Sequence, residues 1–318
     1  MQQSVLTQLV CLIALNIWHQ AYGQTLNDQR MNDLLEPYKY AVKFQTISDS
    51  VKLAYVEEGE GETIIMIHGL ASYLPAWDKV IAELSKDYKC IAIDLPGYGR
   101  SSKSEYPATM TFYAETIRTF CSQKKIEQPI IMGHSMGGQV AMTLALKYPE
   151  LAKQLILLSP AGFEVFNASE KAWLQRFFTT ESIRKATEEQ IRVNYAYNFF
   201  QMPPDVEGMI NDRVAIRAAE DFEIYCKVVA RGVLGMLNEP VFDRLDQLGM
   251  PVLTIFGAND ALIPNKILHP MSSTAAVAKS GSGRIRQCKL EFIEKAGHFV
   301  QYEKPAEVVE LIRGFLSD

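Results

Sequence analysis

The chain has 318 residues, 48% of them apolar and 22% charged, which is enough to bury a large core and too little charge to stay disordered. Its 32 basic residues against 37 acidic ones leave a net charge of −5, and no Lys/Arg cluster is dense enough to follow a phosphate backbone, so nucleic acid is not an expected partner. No repeat recurs at a solenoid or propeller period, and 19 Gly with 14 Pro is an ordinary load for a globular protein.

From Met1 to Gly23 there is no Asp, Glu, Lys or Arg; Val5 to Trp18 is largely apolar, and Ala21-Tyr22-Gly23 puts small residues three and one before a possible cut. Residues 1–23 therefore read as a secretory signal peptide, which would export the protein to the periplasm or beyond. An uncleaved anchor is the alternative. A bilayer span needs about 20 apolar residues, and Thr7, Gln8 and Asn16 interrupt this stretch, so no stable membrane span is expected once the leader is removed. The remaining cysteines, Cys90, Cys121, Cys226 and Cys288, are spaced too irregularly for a zinc site or a small disulfide scaffold.

Two alternating segments, Val42 to Thr46 and Val51 to Val56, predict antiparallel strands. The pattern then changes to continuous apolar runs at Ile64–Ile67, Cys90–Ile93, Ile130–Met132 and Leu155–Leu158, as expected of strands covered on both faces. Helical periodicity lies between them, at Trp77 to Leu84, Phe112 to Cys121 and Val140 to Tyr148. Such alternation predicts an α/β protein with a parallel sheet wrapped by helices. From Ala161 to about Gly249 aromatic helical stretches replace the strands, and the core pattern resumes at Val252–Phe256, Leu290–Ile293 and a closing helix from Pro305 to Leu316. The chain thus divides into a core first part (24–160), a helical cap (161–249) and a core second part (250–318). Gly281-Ser282-Gly283 is expected to form the loop before the last strand.

Gly133-His134-Ser135-Met136-Gly137 fits G-x-S-x-G and lies where an apolar strand gives way to a helix. In that setting the turn is sharp enough to hold Ser135 in a strained backbone, and Gly133 and Gly137 supply the space. The helix amino terminus aims its N–H groups at the same spot. A serine hydroxyl needs a base to become a nucleophile. Among His68, His134, His269 and His298, the last follows the final strand at Ala296-Gly297 and is the one a sheet-edge loop carries to Ser135. Asp260, at the tip of Val252–Phe256 after Gly257-Ala258-Asn259, is placed either to orient that imidazole or to cap its own turn. The order Ser135, Asp260, His298 matches one of the three common serine-hydrolase arrangements. Backbone N–H groups of Met136 and of Leu70, in the loop opened by His68-Gly69, are the expected oxyanion donors. His68 either holds that loop by a hydrogen bond or is simply a buried strand-end histidine.

These residues resemble the α/β-hydrolase superfamily, specifically its serine-hydrolase branch with a helical cap. The likeness runs from His68-Gly69-Leu70 through Asp94-Leu95-Pro96-Gly97-Tyr98-Gly99-Arg100-Ser101-Ser102, the elbow, and Gly257-Ala258-Asn259-Asp260, to Gly297-His298-Phe299. It implies an eight-stranded, mostly parallel sheet with the cap inserted after the sixth strand, and a structural role for Asp94. Serine at position 135 disfavours the haloalkane dehalogenase and epoxide hydrolase activities, which use a carboxylate there. Ser135-Met136-Gly137-Gly138 and Ser159-Pro160-Ala161-Gly162 look most like carboxylesterases and monoacylglycerol-lipase-like enzymes, with carbon–carbon bond hydrolases as the alternative.

Specificity is expected to reside in the cap, with Trp173, Phe177, Phe199 and Met202 as candidate pocket residues. The expected partner is a small-molecule acyl ester, cleaved without metal or organic cofactor. Activity should then fall once the base is protonated, at or below about pH 6.5 for an unperturbed histidine. A ligand-binding protein on the same scaffold with little turnover is the rival from another class.

Overall fold

The structure, a computed structural model, describes residues 29–317, so the expected leader at 1–23 lies outside the described residues. The strands are β1 (Lys43–Ser48), β2 (Val51–Glu58), β3 (Thr63–Ile67), β4 (Lys89–Asp94), β5 (Ile130–His134), β6 (Gln154–Leu158), β7 (Val252–Gly257) and β8 (Cys288–Ile293). They form one eight-stranded sheet in the order β1-β2-β4-β3-β5-β6-β7-β8. Only the pairings β1–β2 and β2–β4 are antiparallel; the others are parallel. The four apolar runs are central strands, and their alternation sorts side chains between two layers. Ile65, Ile67, Ile131 and Leu157 face one core cluster, while Ile64, Met66, Ile130, Met132 and Ile156 face the other.

The helices that fill these layers follow from apolar stripes at helical spacing. In chain order they are α1 (Met31–Leu34), α2 (Asp78–Leu84), α3 (Met110–Lys124), α4 (Met136–Lys147), α5 (Ala168–Phe177), α6 (Thr180–Arg184), α7 (Glu188–Ala196), α8 (Glu207–Ala215), α9 (Phe222–Asn238), α10 (Thr274–Ser282), α11 (Val300–Glu303) and α12 (Pro305–Ser317). Val80, Ile81 and Leu84 of α2 share a cluster with Val308, Val309 and Ile312 of α12. Ile117 and Phe120 of α3 and Val140 and Leu144 of α4 fill the opposite side. The four cysteines Cys90, Cys121, Cys226 and Cys288 are free thiols, and burial pushes the Cys90 thiol up to about 12.

Residues 161–249, between β6 and β7, carry α5 to α9 and no strand. The first three of these helices satisfy their own amino termini with reciprocal capping boxes: Asn167 with Glu170, Thr179 with Ser182, and Thr187 with Gln190. Helix α9 is the long amphipathic element that seats this segment on the core, burying Tyr225, Cys226, Val229 and Val233. A strap of residues 29–36 crosses both parts. Its Met31 and Glu36 N–H groups donate to Asp221 and Asp212 of the cap at 2.8 and 2.9 Å, and Arg100 of the core donates to the carbonyls of Asn32, Leu35 and Glu36.

The sequence expectation for Gly281-Ser282-Gly283 is corrected: helix α10 continues through Ser282. A Cβ on Gly281 would stand 2.1 Å from the Phe163 ring, so this glycine serves close packing rather than a turn.

At the start of the cap, Glu164 accepts a hydrogen bond from His269 Nδ1 at 2.5 Å, and Glu170 lies 3.4 Å from Nε2. Burial pulls the His269 pKa down, but the bonds and charges of the two glutamates outweigh it and leave it raised. Burial also raises Glu164, against the pull of the imidazole. Both shifts give the native state more bound protons, so the stability His269 contributes is full below the unfolded value of about 6.5 and is lost as pH rises through the folded one. His269→Gln should therefore lower the thermal midpoint more at about pH 5.5 than at about pH 8.5; equal losses would remove this linkage. For the sheet, Ile156→Ala, at a fully buried position, should cost about 2 to 5 kcal/mol in denaturant titration.

Candidate active site

Strand β5 ends at His134 and α4 begins at Met136, leaving Ser135 alone to reverse the chain. Its backbone sits at φ 53° and ψ −119°, a region that costs on the order of 1–3 kcal/mol for a residue with a Cβ. The surroundings enforce it. A Cβ on Gly133 would lie 2.2 Å from the Gly137 carbonyl oxygen, and one on Gly137 would lie 2.1 Å from that of Ile67 at the end of β3. Helix and sheet meet here with no side chain between them, and Ser135 remains part-exposed.

The loop after β3 runs alongside. His68 is fully buried, donates from Nδ1 to the Gly69 carbonyl at 2.8 Å and accepts the Leu95 N–H on Nε2 at 3.0 Å. Burial lowers its pKa, which keeps the ring neutral and the tautomer fixed by its partners. The two readings of His68 are thus one: it is a buried strand-end histidine that holds the loop. A Cβ on Gly69 would stand 3.1 Å from Ser135 Cβ, so the loop that carries the Leu70 N–H touches the elbow. Met136 is the first residue of α4, where an N–H has no partner inside the helix.

Asp260 and His298 come from loops after β7 and β8 and meet as a buried pair. His298 Nδ1 donates to Asp260 Oδ2 at 2.8 Å, and both residues are 3% exposed. Asp260 Oδ1 simultaneously accepts the N–H groups of Leu262 and Ile263 at 2.8 and 3.0 Å. Both alternatives for Asp260 are realised at once, one oxygen capping the turn and the other holding the imidazole. Binding through Nδ1 leaves Nε2 of His298 as the proton-accepting nitrogen.

His134 stands on the other side of His298. Its Nε2 donates to the His298 carbonyl at 3.0 Å, and the ring centroids are 4.9 Å apart. Burial, reinforced by the neighbouring His298, holds the His134 pKa well below the ordinary histidine value, so it supports the loop without bringing a second charge to it. Asp94 takes no part here. Its carboxylate accepts from Leu74 N, Arg100 N and Tyr38 Oη, as a structural turn residue does.

Of the four candidate pocket residues, Trp173, Phe177 and Met202 are exposed. Trp173 stacks on Phe177 at 5.3 Å. Phe199 alone is buried, against Phe299 and Tyr302 beside the histidine loop. Hydrophobicity singled these side chains out, but it does not say which face of a short helix turns inward. Beside the elbow loop, Leu70 packs against the apolar cluster of Leu174, Val233 and Leu237. A Cβ on Gly232 of α9 would lie 2.9 Å from Leu70 Cδ1 and 3.5 Å from Met136 Sδ, which puts this helix against the side chains of both residues whose N–H groups are the expected donors. The signal for α9 in the sequence is only its apolar period.

A family model described as the α/β-hydrolase fold matches residues 62–305. The chain belongs to that family. Human monoacylglycerol lipase ABHD6 is 25% identical over 274 residues, covering 81% of this chain and 76% of its own. The dihydrolipoyllysine-residue acetyltransferase component of an acetoin cleaving system from Cupriavidus necator is 26% identical over 300 residues, covering 93% and 74%. Among solved structures, a thermophilic esterase from Thermogutta terrifontis superposes with a TM-score of 0.72 at 24% identity, over 87% of this chain and 98% of that one. This α/β hydrolase accordingly has esterase and lipase neighbours.

Because Gly137 has no room for a β-carbon, Gly137→Ala must push α4 away from β3. The variant should lose about 1 to 3 kcal/mol or more in denaturant titration; a variant as stable as the wild type would show that this contact is dispensable.

Proposed function

We propose that this protein is a serine hydrolase that cleaves carboxylic esters through an acyl-enzyme intermediate. The observation that carries the reading is the buried Asp260–His298 pair, joined at 2.8 Å, on the same sheet edge as a serine held at positive φ. In this mechanism His298 Nε2 takes the Ser135 proton as Oγ attacks the ester carbonyl, and the Leu70 and Met136 N–H groups receive the oxyanion, a donor typically contributing about 3 to 4 kcal/mol. His298 then protonates the leaving alcohol. Water repeats the cycle, releasing the acid and regenerating Ser135. Asp260 keeps Nδ1 protonated throughout, which is why it must stay ionised and fixed.

The substrate class follows from the roof of the site. Leu70, on the loop that touches the elbow, packs against the apolar cluster of Leu174, Val233 and Leu237, surroundings that suit an uncharged acyl chain such as that of a simple ester or a monoacylglycerol. The human relative named as a monoacylglycerol lipase supports the same choice. An exported enzyme is part of this proposal, resting on the apolar, uncharged residues 1–23.

Hydrolysis of a short-to-long p-nitrophenyl ester series tests it. Ser135→Ala and His298→Ala should each reduce kcat by about 10⁶-fold, and Asp260→Asn by about 10⁴-fold. A folded wild type that neither hydrolyses any ester nor reacts with a fluorophosphonate would make the protein a ligand-binding member of the family. Labelling without ester turnover would redirect the assignment to carbon–carbon bond hydrolysis.

A further inference from the structure

His298 is flanked by two backbone positions that lean on the cap rather than on the core. On one side the Phe299 N–H donates to the Asn198 carbonyl at 2.9 Å. On the other, a Cβ on Gly297 would lie 2.6 Å from the same Asn198 oxygen and 2.7 Å from Phe199 backbone atoms, so the two chain segments touch main chain to main chain. What fastens them is Glu303, at the end of α11. Its Oε2 accepts the Gly297 N–H at 2.7 Å and the Phe200 N–H at 3.1 Å, and its Oε1 accepts the Gln201 N–H at 2.6 Å.

A carboxylate has no donor to give and four lone-pair positions to offer, so three convergent N–H groups match the ionised side chain and no neutral one as well. Charge-assisted bonds of this kind are roughly twice as strong as neutral ones. Among the described residues no cation pairs with Glu303, so its recorded partners are these three amides, one from the histidine loop and two from the cap. The carboxylate therefore links two segments almost 100 positions apart in the chain.

We propose that Glu303 is a positioning residue, which sets His298 by locking the Gly297 backbone to the cap segment Phe200–Gln201. This rests on the reading of His298 as the base. The geometry makes the seat of the cap and the position of the imidazole one variable: Asp260 fixes the ring from β7, His134 fixes the His298 carbonyl from the elbow, and Glu303 fixes the preceding amide to the cap. When the cap segment lifts, the histidine loop keeps Asp260 and His134 but loses its tie to the cap, so the imidazole is fully set when the cap is seated.

The test compares Glu303→Gln with Glu307→Gln, an equal loss of charge four residues away on α12, in the full-length mature protein. The amide in place of the carboxylate keeps one acceptor and sets an N–H₂ group against N–H donors. Glu303→Gln should lower kcat for a short p-nitrophenyl ester on the order of 10- to 100-fold with KM within about twofold, and slow fluorophosphonate labelling of Ser135 in parallel, because a displaced base acts through both. Glu307→Gln should match the wild type. Glu303→Asp keeps the charge but reaches only one of the two segments, so it should fall between the two. Should the Gln variant not fold, as judged by its thermal transition, the Asp variant carries the same test. A folded variant at Glu303 with wild-type kcat and labelling rate overturns the proposal, as does loss of folding in both, which would make Glu303 a purely structural residue. An inactive, unlabelled wild type would instead remove His298 from its role and the proposal with it.

Discussion

Helix α4 meets strand β3 with no atom beyond backbone between them. At Gly133 and Gly137 even a methyl group would overlap a carbonyl or its neighbour, and everything else at the sheet edge is arranged around that closeness. Because the helix begins so near the strand, the single residue between β5 and α4 has to turn the chain alone and takes a left-handed φ. The strain is affordable only because the flanking elements are clamped on both sides by apolar layers. Held this way, Ser135 stands clear of the sheet with the first N–H groups of α4 behind it.

The histidine loop is organised on the opposite principle. Nothing about its own sequence makes it rigid; it is short and it carries a glycine next to His298. Its position is imposed from outside by single hydrogen bonds from separate elements, each made by a buried or part-buried group. Asp260 divides its two oxygens between its own turn and the imidazole, so the geometry of one loop is conveyed directly to the other. His134 does similar double duty, belonging to the elbow while bonding the backbone of His298. A centre formed by backbone packing is thus joined to a buried loop by side chains and backbone bonds from several elements.

Much of this was legible in the sequence because the informative residues sit at strand ends, where an apolar run followed by Gly, His or Asp leaves few alternatives. Ser135, Asp260 and His298 each follow such a run, and the structure brings Asp260 and His298 into contact. What escaped has a different physical character. Glu303 lies between an aromatic and a lysine near the start of the closing helix, and its meaning depends on amides about 100 residues away that no local pattern reveals. The cap aromatics illustrate a related point: Trp173 and Phe177 stack on each other, a contact that their apolar character alone does not reveal. Gly281 was read as a turn because a glycine's two uses, bending the chain and admitting a neighbour, look identical in one dimension.

The capping boxes of α5, α6 and α7 have a consequence for how the cap can rearrange. Each of these helices satisfies part of its amino-terminal N–H set with side chains of its own first turn, so those donors need no acceptor from a neighbouring helix. A shift of one of them leaves those capped donors satisfied, and what it would have to give up lies elsewhere, in bonds such as Tyr195 Oη to the Met209 carbonyl and the Phe200 and Gln201 N–H groups to Glu303. These three helices are in this sense self-contained tiles, joined to the rest of the molecule at a few points such as Glu303 rather than along their amino termini.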